Sequence, residues 1–77
     1  MREIKVLGSG CTKCVKTAEI ITTVANKLGV DAQIIKETSP QAIMSYGVMR
    51  TPAVVIDEKL VHSGSIPHEQ QVVEWLQ

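Results

Sequence analysis

The sequence predicts an α/β domain with a four-stranded mixed sheet and helices on both faces, in the order β-α-β-α-β-β-α. Three observations carry that prediction. Apolar residues recur at helical spacing from about Thr12 to Leu28, between two short β-type runs. A strand, a helix and a strand in succession require a right-handed parallel crossover. Ala53-Val54-Val55-Ile56 and Leu60-Val61-His62 are separated only by Asp57-Glu58-Lys59, which requires an antiparallel pair. A sheet that holds both kinds of connection is mixed.

Each element has its own local signal. Ile4 to Leu7 is a β-type run closed by Gly8-Ser9-Gly10, a loop that lets the backbone turn sharply. In the first helix Cys14, Ala18, Ile21, Ala25 and Leu28 form the apolar stripe, Ile20 and Val24 widen it, and Gly29 closes it as a C-cap residue. Val30 to Ile35 reads as the second strand, with Val30, Ala32 and Ile34 on one side. Ser39 offers an N-cap and Pro40 a first helical position for a short helix carrying Ile43 and Met44, which Gly47 stops. After the hairpin, Ser63-Gly64 breaks the chain, and Ser65 with Pro67 starts a last helix containing Val72, Val73 and Leu76. A two-residue turn at Asp57-Glu58 favours Gly in its second position, so Glu58 implies a longer turn or a strain cost.

Composition narrows the function classes. The 77 residues suffice for one domain, 1–77, with a single modest core. Eight basic and eight acidic side chains cancel, which argues against nucleic acid or an anionic membrane as partner. With no Phe, one Tyr and one Trp, stacking platforms for single strands are missing as well. The apolar run at the N-terminus is too short for a signal peptide or a membrane span, so the expectation is a cytoplasmic protein.

Against that background the two cysteines stand out. Cys11-Thr12-Lys13-Cys14 follows the first strand and opens the first helix, a spacing at which two thiols can close a disulfide across one helical turn. In a reducing cytosol such a pair is redox-active or metal-binding rather than a structural staple, and so short a closed loop adds little stability.

The element order, with the cysteine pair between the first strand and the first helix, resembles the thioredoxin fold over essentially the whole chain. Thr51-Pro52, directly before the third strand, is a second and independent mark. Within that superfamily the chain resembles the small glutaredoxin-like, redox-active disulfide proteins of archaea and bacteria, on Tyr46-Gly47-Val48-Met49-Arg50-Thr51-Pro52-Ala53 and its short length. The resemblance implies a cis Pro52 beside the disulfide and a Thr51 backbone that holds an extended substrate segment like an added strand; the general preference of X-Pro bonds is trans. It also implies a thiol–disulfide oxidoreductase acting on protein disulfides or as an electron carrier, with a reducing partner such as a flavoprotein disulfide reductase and no cofactor. Gly10 before the first cysteine, Thr12-Lys13 between the pair, and Ser63-Gly64-Ser65-Ile66 after the last strand depart from the glutaredoxin pattern. These departures count against glutathione as substrate.

The residues then divide the work. Cys11 falls at the expected helix N-cap, where unpaired N–H groups, the helix dipole and nearby Lys13 and Lys16 favour a thiolate; it is the expected nucleophile. Cys14 falls on the core-facing stripe and is the expected resolving thiol. Lys13 tunes the sulfur or is a solvated helix-start lysine, the two readings being evenly matched. Tyr46, Met49 and Trp75 are expected to pack, and His62 and His68 to face solvent rather than to act as ligands. The main rival is a soft-metal carrier holding Cu(I) or Zn through the same two thiolates. It resembles the small heavy-metal-associated domains, which however end in a strand where this chain ends in a helix. A third reading is a peptide-binding interaction domain with an incidental thiol pair.

Overall fold

A computed structural model describes residues 2–8 and 12–77. Over these, β1 (Arg2–Leu7), α1 (Thr12–Leu28), β2 (Ala32–Glu37), α2 (Pro40–Ser45), β3 (Ala53–Ile56), β4 (Lys59–Ser63) and α3 (Glu69–Leu76) follow in order. The sheet runs β2-β1-β3-β4. β1 pairs in parallel with β2, Ile4 opposite Ile34, and antiparallel with β3, Val6 opposite Val54. β4 pairs antiparallel with β3, so the expected mixed sheet is present.

The pleat divides the apolar residues between two faces. Ile4, Val6, Val54 and Ile56 point to one side, where Ala18, Ile21, Val24 and Ala25 of α1 and Val72 and Leu76 of α3 cover them. Leu7, Ala53 and Val55 point to the other, under Ile43, Tyr46 and Val48. Helices therefore lie on both faces. Leu28 falls off the stripe and is exposed, as is Met44. Arg2 ties the ends of the chain together: its guanidinium donates to the backbone carbonyls of Trp75 and Gln77 at the end of α3, where carbonyls lack helical partners and the dipole favours a cation. Among the described residues no helix is long and apolar enough to cross a membrane.

Two boundaries differ from the sequence reading, each for a local reason. The second strand starts at Ala32 rather than Val30 because Val30 still belongs to the helix end. Gly29, at φ 66°, donates to Asn26 at 3.3 Å and Val30 donates to Ala25 at 3.0 Å, the paired bonds of a Schellman closure. The last helix starts at Glu69 rather than near Ser65. Pro67 is fully buried and His68 has extended backbone, its N–H donating to Gln71 Oε1 at 2.9 Å as a helix cap. His68 is thus a capping residue outside the first turn.

The hairpin resolves the other open question. Asp57 and Glu58 form a two-residue turn with φ of 49° and 71°, left-handed at both positions with no glycine, so of the two options it is the strained one. Strain of this kind costs about 1 kcal/mol or more per residue. Both side chains reach back to β1: Asp57 Oδ1 accepts from the Glu3 N–H at 3.1 Å, and Glu58 Oε1 from Lys5 Nζ at 3.1 Å. Opposite Val54 and Val55 the register slips, leaving Val61 as an extra residue that kinks the edge strand β4.

Lys5 and then Tyr46, by hydrogen bonds, hold the Glu58 carboxyl below the usual carboxylate range. Since the folded value lies below the unfolded one, the stabilisation is complete above the ordinary value of about 4.3 and fades as pH falls through the folded value. In urea unfolding, the stability gap between wild type and Glu58→Gln is expected to be constant above about pH 5 and to narrow as pH falls below the ordinary carboxylate value of about 4.3. A gap unchanged across that range would contradict this assignment.

Candidate active site

The sheet, the first helix and the loop before β3 converge at the carboxyl end of β1. Gly8 continues β1 by one residue, its N–H donating to Glu37 on β2 at 3.0 Å. Cys14, in the first turn of α1, lies against it and is 6% exposed. The approach is too close for a side chain: a Cβ on Gly8 would stand 2.2 Å from Cys14 Sγ. The same position is 3.5 Å from the Cβ of Thr51. Gly8 is thus the point across which Cys14 and the Thr51-Pro52 segment meet.

Thr17, one turn after Cys14 along α1, is the buried polar residue among those described, and its hydroxyl donates to the Lys13 carbonyl at 2.8 Å, so it places no unsatisfied group beside the sulfur. Val6, Val15, Lys36 and Thr38 complete a narrow slot that reaches Cys14 and Gly8 from the β2 side. Lys13 is exposed in the first turn of α1. Cys11, the expected nucleophile, lies with Ser9 and Gly10 outside the described residues.

On the other side, the Thr51–Pro52 peptide bond is cis. Pro52 is fully buried and Thr51 exposed. The Pro52 carbonyl accepts from the Gly64 N–H at 2.9 Å, so the segment enters the sheet already tied to the end of β4. Met49, expected to pack, is 94% exposed two residues before Thr51. Trp75 is half-buried as expected, and the half-buried His62 ring lies 5.7 Å from it, rather than standing out in solvent.

Sequence reasoning read Gly8 only as part of a loop that lets the backbone turn sharply. Its role here is to leave space, and a glycine cannot reveal from sequence which use it serves. Lys5, Tyr46 and Glu58 were likewise unlinked. In the structure Lys5 Nζ donates to the Tyr46 hydroxyl at 2.7 Å, and that hydroxyl donates to Glu58 Oε2 at 3.0 Å. The one available signal is a lysine in the middle of an otherwise core-forming strand.

A mixed α/β sheet with a buried helix-start cysteine packed behind its first strand, and a cis proline entering its third, defines a protein of the thioredoxin-fold class. Comparison with known proteins makes the assignment specific: the family described as the thioredoxin domain matches residues 2–77, and the chain belongs to that family. Its relatives include the thioredoxin of Methanocaldococcus jannaschii, 37% identical over 73 residues that span 95% of this chain and 84% of that protein. The thioredoxin of Methanothermobacter thermautotrophicus is 24% identical over 72 residues, 94% of each chain. At the level of the family, this is a role of the thiol–disulfide oxidoreductase type.

The close approach at Gly8 is testable by a double-mutant cycle. Gly8→Ala is expected to cost about 1–3 kcal/mol in urea unfolding, the usual range for overpacking. In a Cys14→Ala background the added methyl meets only 3.5 Å neighbours, and most of that cost is expected to disappear. An equal cost in both backgrounds would show that the sulfur is not what Gly8 accommodates.

Proposed function

We propose that this chain is a thiol–disulfide oxidoreductase in which Cys11 is the nucleophile and Cys14 the resolving thiol. The observation that carries the reading is the packing of Cys14 behind Gly8 and near Thr51: its sulfur is shielded from a bulky substrate, three residues after Cys11 in the sequence. A shielded sulfur suits the second displacement rather than the first. The Cys11 thiolate attacks a substrate disulfide and expels one substrate thiolate, leaving a mixed disulfide. The Cys14 thiolate then attacks the Cys11 sulfur, the second substrate thiolate leaves, and a Cys11–Cys14 disulfide forms. Two electrons pass from the dithiol to the substrate, and a reducing partner, such as a flavoprotein disulfide reductase, restores them.

The remaining parts take supporting roles in this reading. Thr51 and Pro52 form the substrate-binding edge: Thr51 is exposed beside the site, and an extended substrate segment pairs with its backbone. Lys13, exposed in the first turn, adds positive charge near the Cys11 thiolate. Substrates are protein disulfides rather than glutathione, the compartment is the cytoplasm, and residues 1–77 act as one domain. The rival reading is a Cu(I) or Zn carrier that uses the same two thiolates.

Insulin reduction driven by dithiothreitol tests the division of labour. Cys11→Ser is expected to fall to the uncatalysed background. Cys14→Ser is expected to lose turnover while accumulating one covalently linked substrate per chain, visible by mass spectrometry without reductant. Trapping by Cys11→Ser instead would reverse the roles, and wild-type protein no faster than the uncatalysed background would abolish the redox reading in favour of a peptide-binding domain.

A further inference from the structure

The turn at Asp57-Glu58 keeps two non-glycine residues in the left-handed region, where Gly at the second position would remove the cost. Strain that persists at a site a common residue would relieve points to a side chain that is needed there. For Glu58 that need is visible. Its carboxylate accepts from Lys5 Nζ at 3.1 Å and from the Tyr46 hydroxyl at 3.0 Å, while Lys5 Nζ also donates to the same hydroxyl at 2.7 Å. The ammonium lies 5.4 Å from the Tyr46 ring centroid, and Glu3 is within 3.5 Å of it as well. Three elements far apart in sequence thus close a triangle of hydrogen bonds, two of which meet on one phenol oxygen.

Tyr46 is the C-cap of α2 and the first residue of the irregular run that ends at Thr51-Pro52. The far end of that run is held by the bond from Gly64 N–H to the Pro52 carbonyl at 2.9 Å. Between the two ties, Val48 packs under the sheet while Met49 and Arg50 are exposed. We infer that Tyr46, gripped by Lys5 and Glu58, is a positioning residue that sets where the 47–52 segment presents Thr51 to a bound disulfide substrate. The inference rests on the oxidoreductase reading above and extends it to how an extended substrate is aligned. The stabilisation that Glu58 contributes is small, because its side chain is 66% exposed and ion pairs in such places contribute little, so stability alone does not account for the strained turn. Geometry is what the triangle supplies.

The test compares a protein disulfide with a small one. Tyr46→Phe keeps the ring against Leu7, Ala53 and Val55 and removes only the hydroxyl. With insulin its KM is expected to rise about five-fold with kcat nearly unchanged, the scale of one lost hydrogen bond. With 5,5′-dithiobis(2-nitrobenzoate), too small to use the Thr51 edge, the rate is expected to stay at the wild-type value, as is the reduction potential. Glu58→Gln keeps an acceptor for the hydroxyl and is expected to raise KM less than Glu58→Ala. Equal losses on both disulfides, or an unchanged KM for insulin, would overturn the inference while leaving the oxidoreductase reading intact. Wild-type protein inactive on both disulfides would instead overturn that reading and the inference with it.

Discussion

The end of β1 has no room for a side chain, and much of the site follows from that. Gly8 lets the first turn of α1 settle directly against the strand, so that Cys14 Sγ occupies the place a Cβ would need. Thr51 comes to the same place, its Cβ 3.5 Å from that position. A methyl group there would force the helix, the sulfur or the loop to move, and interiors packed at close to crystal density yield little. The parallel β1–α1–β2 crossover brings the helix start to this point, and the antiparallel β1–β3 pairing brings the proline segment to it. Sheet topology and a single missing Cβ thus act together.

The two faces of the sheet make different contributions. The face under α1 and α3 is the larger apolar core and fixes the orientation of the helix that carries Cys14. The face under α2 is smaller and is completed by polar bonds around Tyr46. Its polar network joins the β1 strand, the hairpin turn and the start of the loop that leads to Pro52. Where apolar area is limited, hydrogen bonds to a charged group supply direction that burial alone does not, since the hydrophobic effect is non-directional.

Much of this was legible in the sequence. Local signals marked every element: helical periodicity in α1, short β-type runs in the strands, and capping residues and prolines at the two later helices. The N-cap Ser39 with Pro40 and the α1 limits were readable for the same local reasons. Reading failed where a residue serves its neighbour in space. Val30 looked like a strand residue but closes a helix, and Pro67 looked like a helix start but fills the core. Glu58 looked misplaced in a turn because its partners, Lys5 and Tyr46, are remote in the chain.

By itself the sequence determined the element order, the mixed sheet, the position of Cys14 at the start of a helix, and the burial of Cys14 on its apolar stripe. These depend on local spacing, which the chain displays openly. Only the tertiary structure decided that Gly8 is the place where Cys14 and Thr51 meet, that Pro52 is cis, and that a strained turn holds Tyr46. Each of those depends on how closely remote segments approach, and the distance between remote segments is set by the packed sheet rather than by any one stretch of residues.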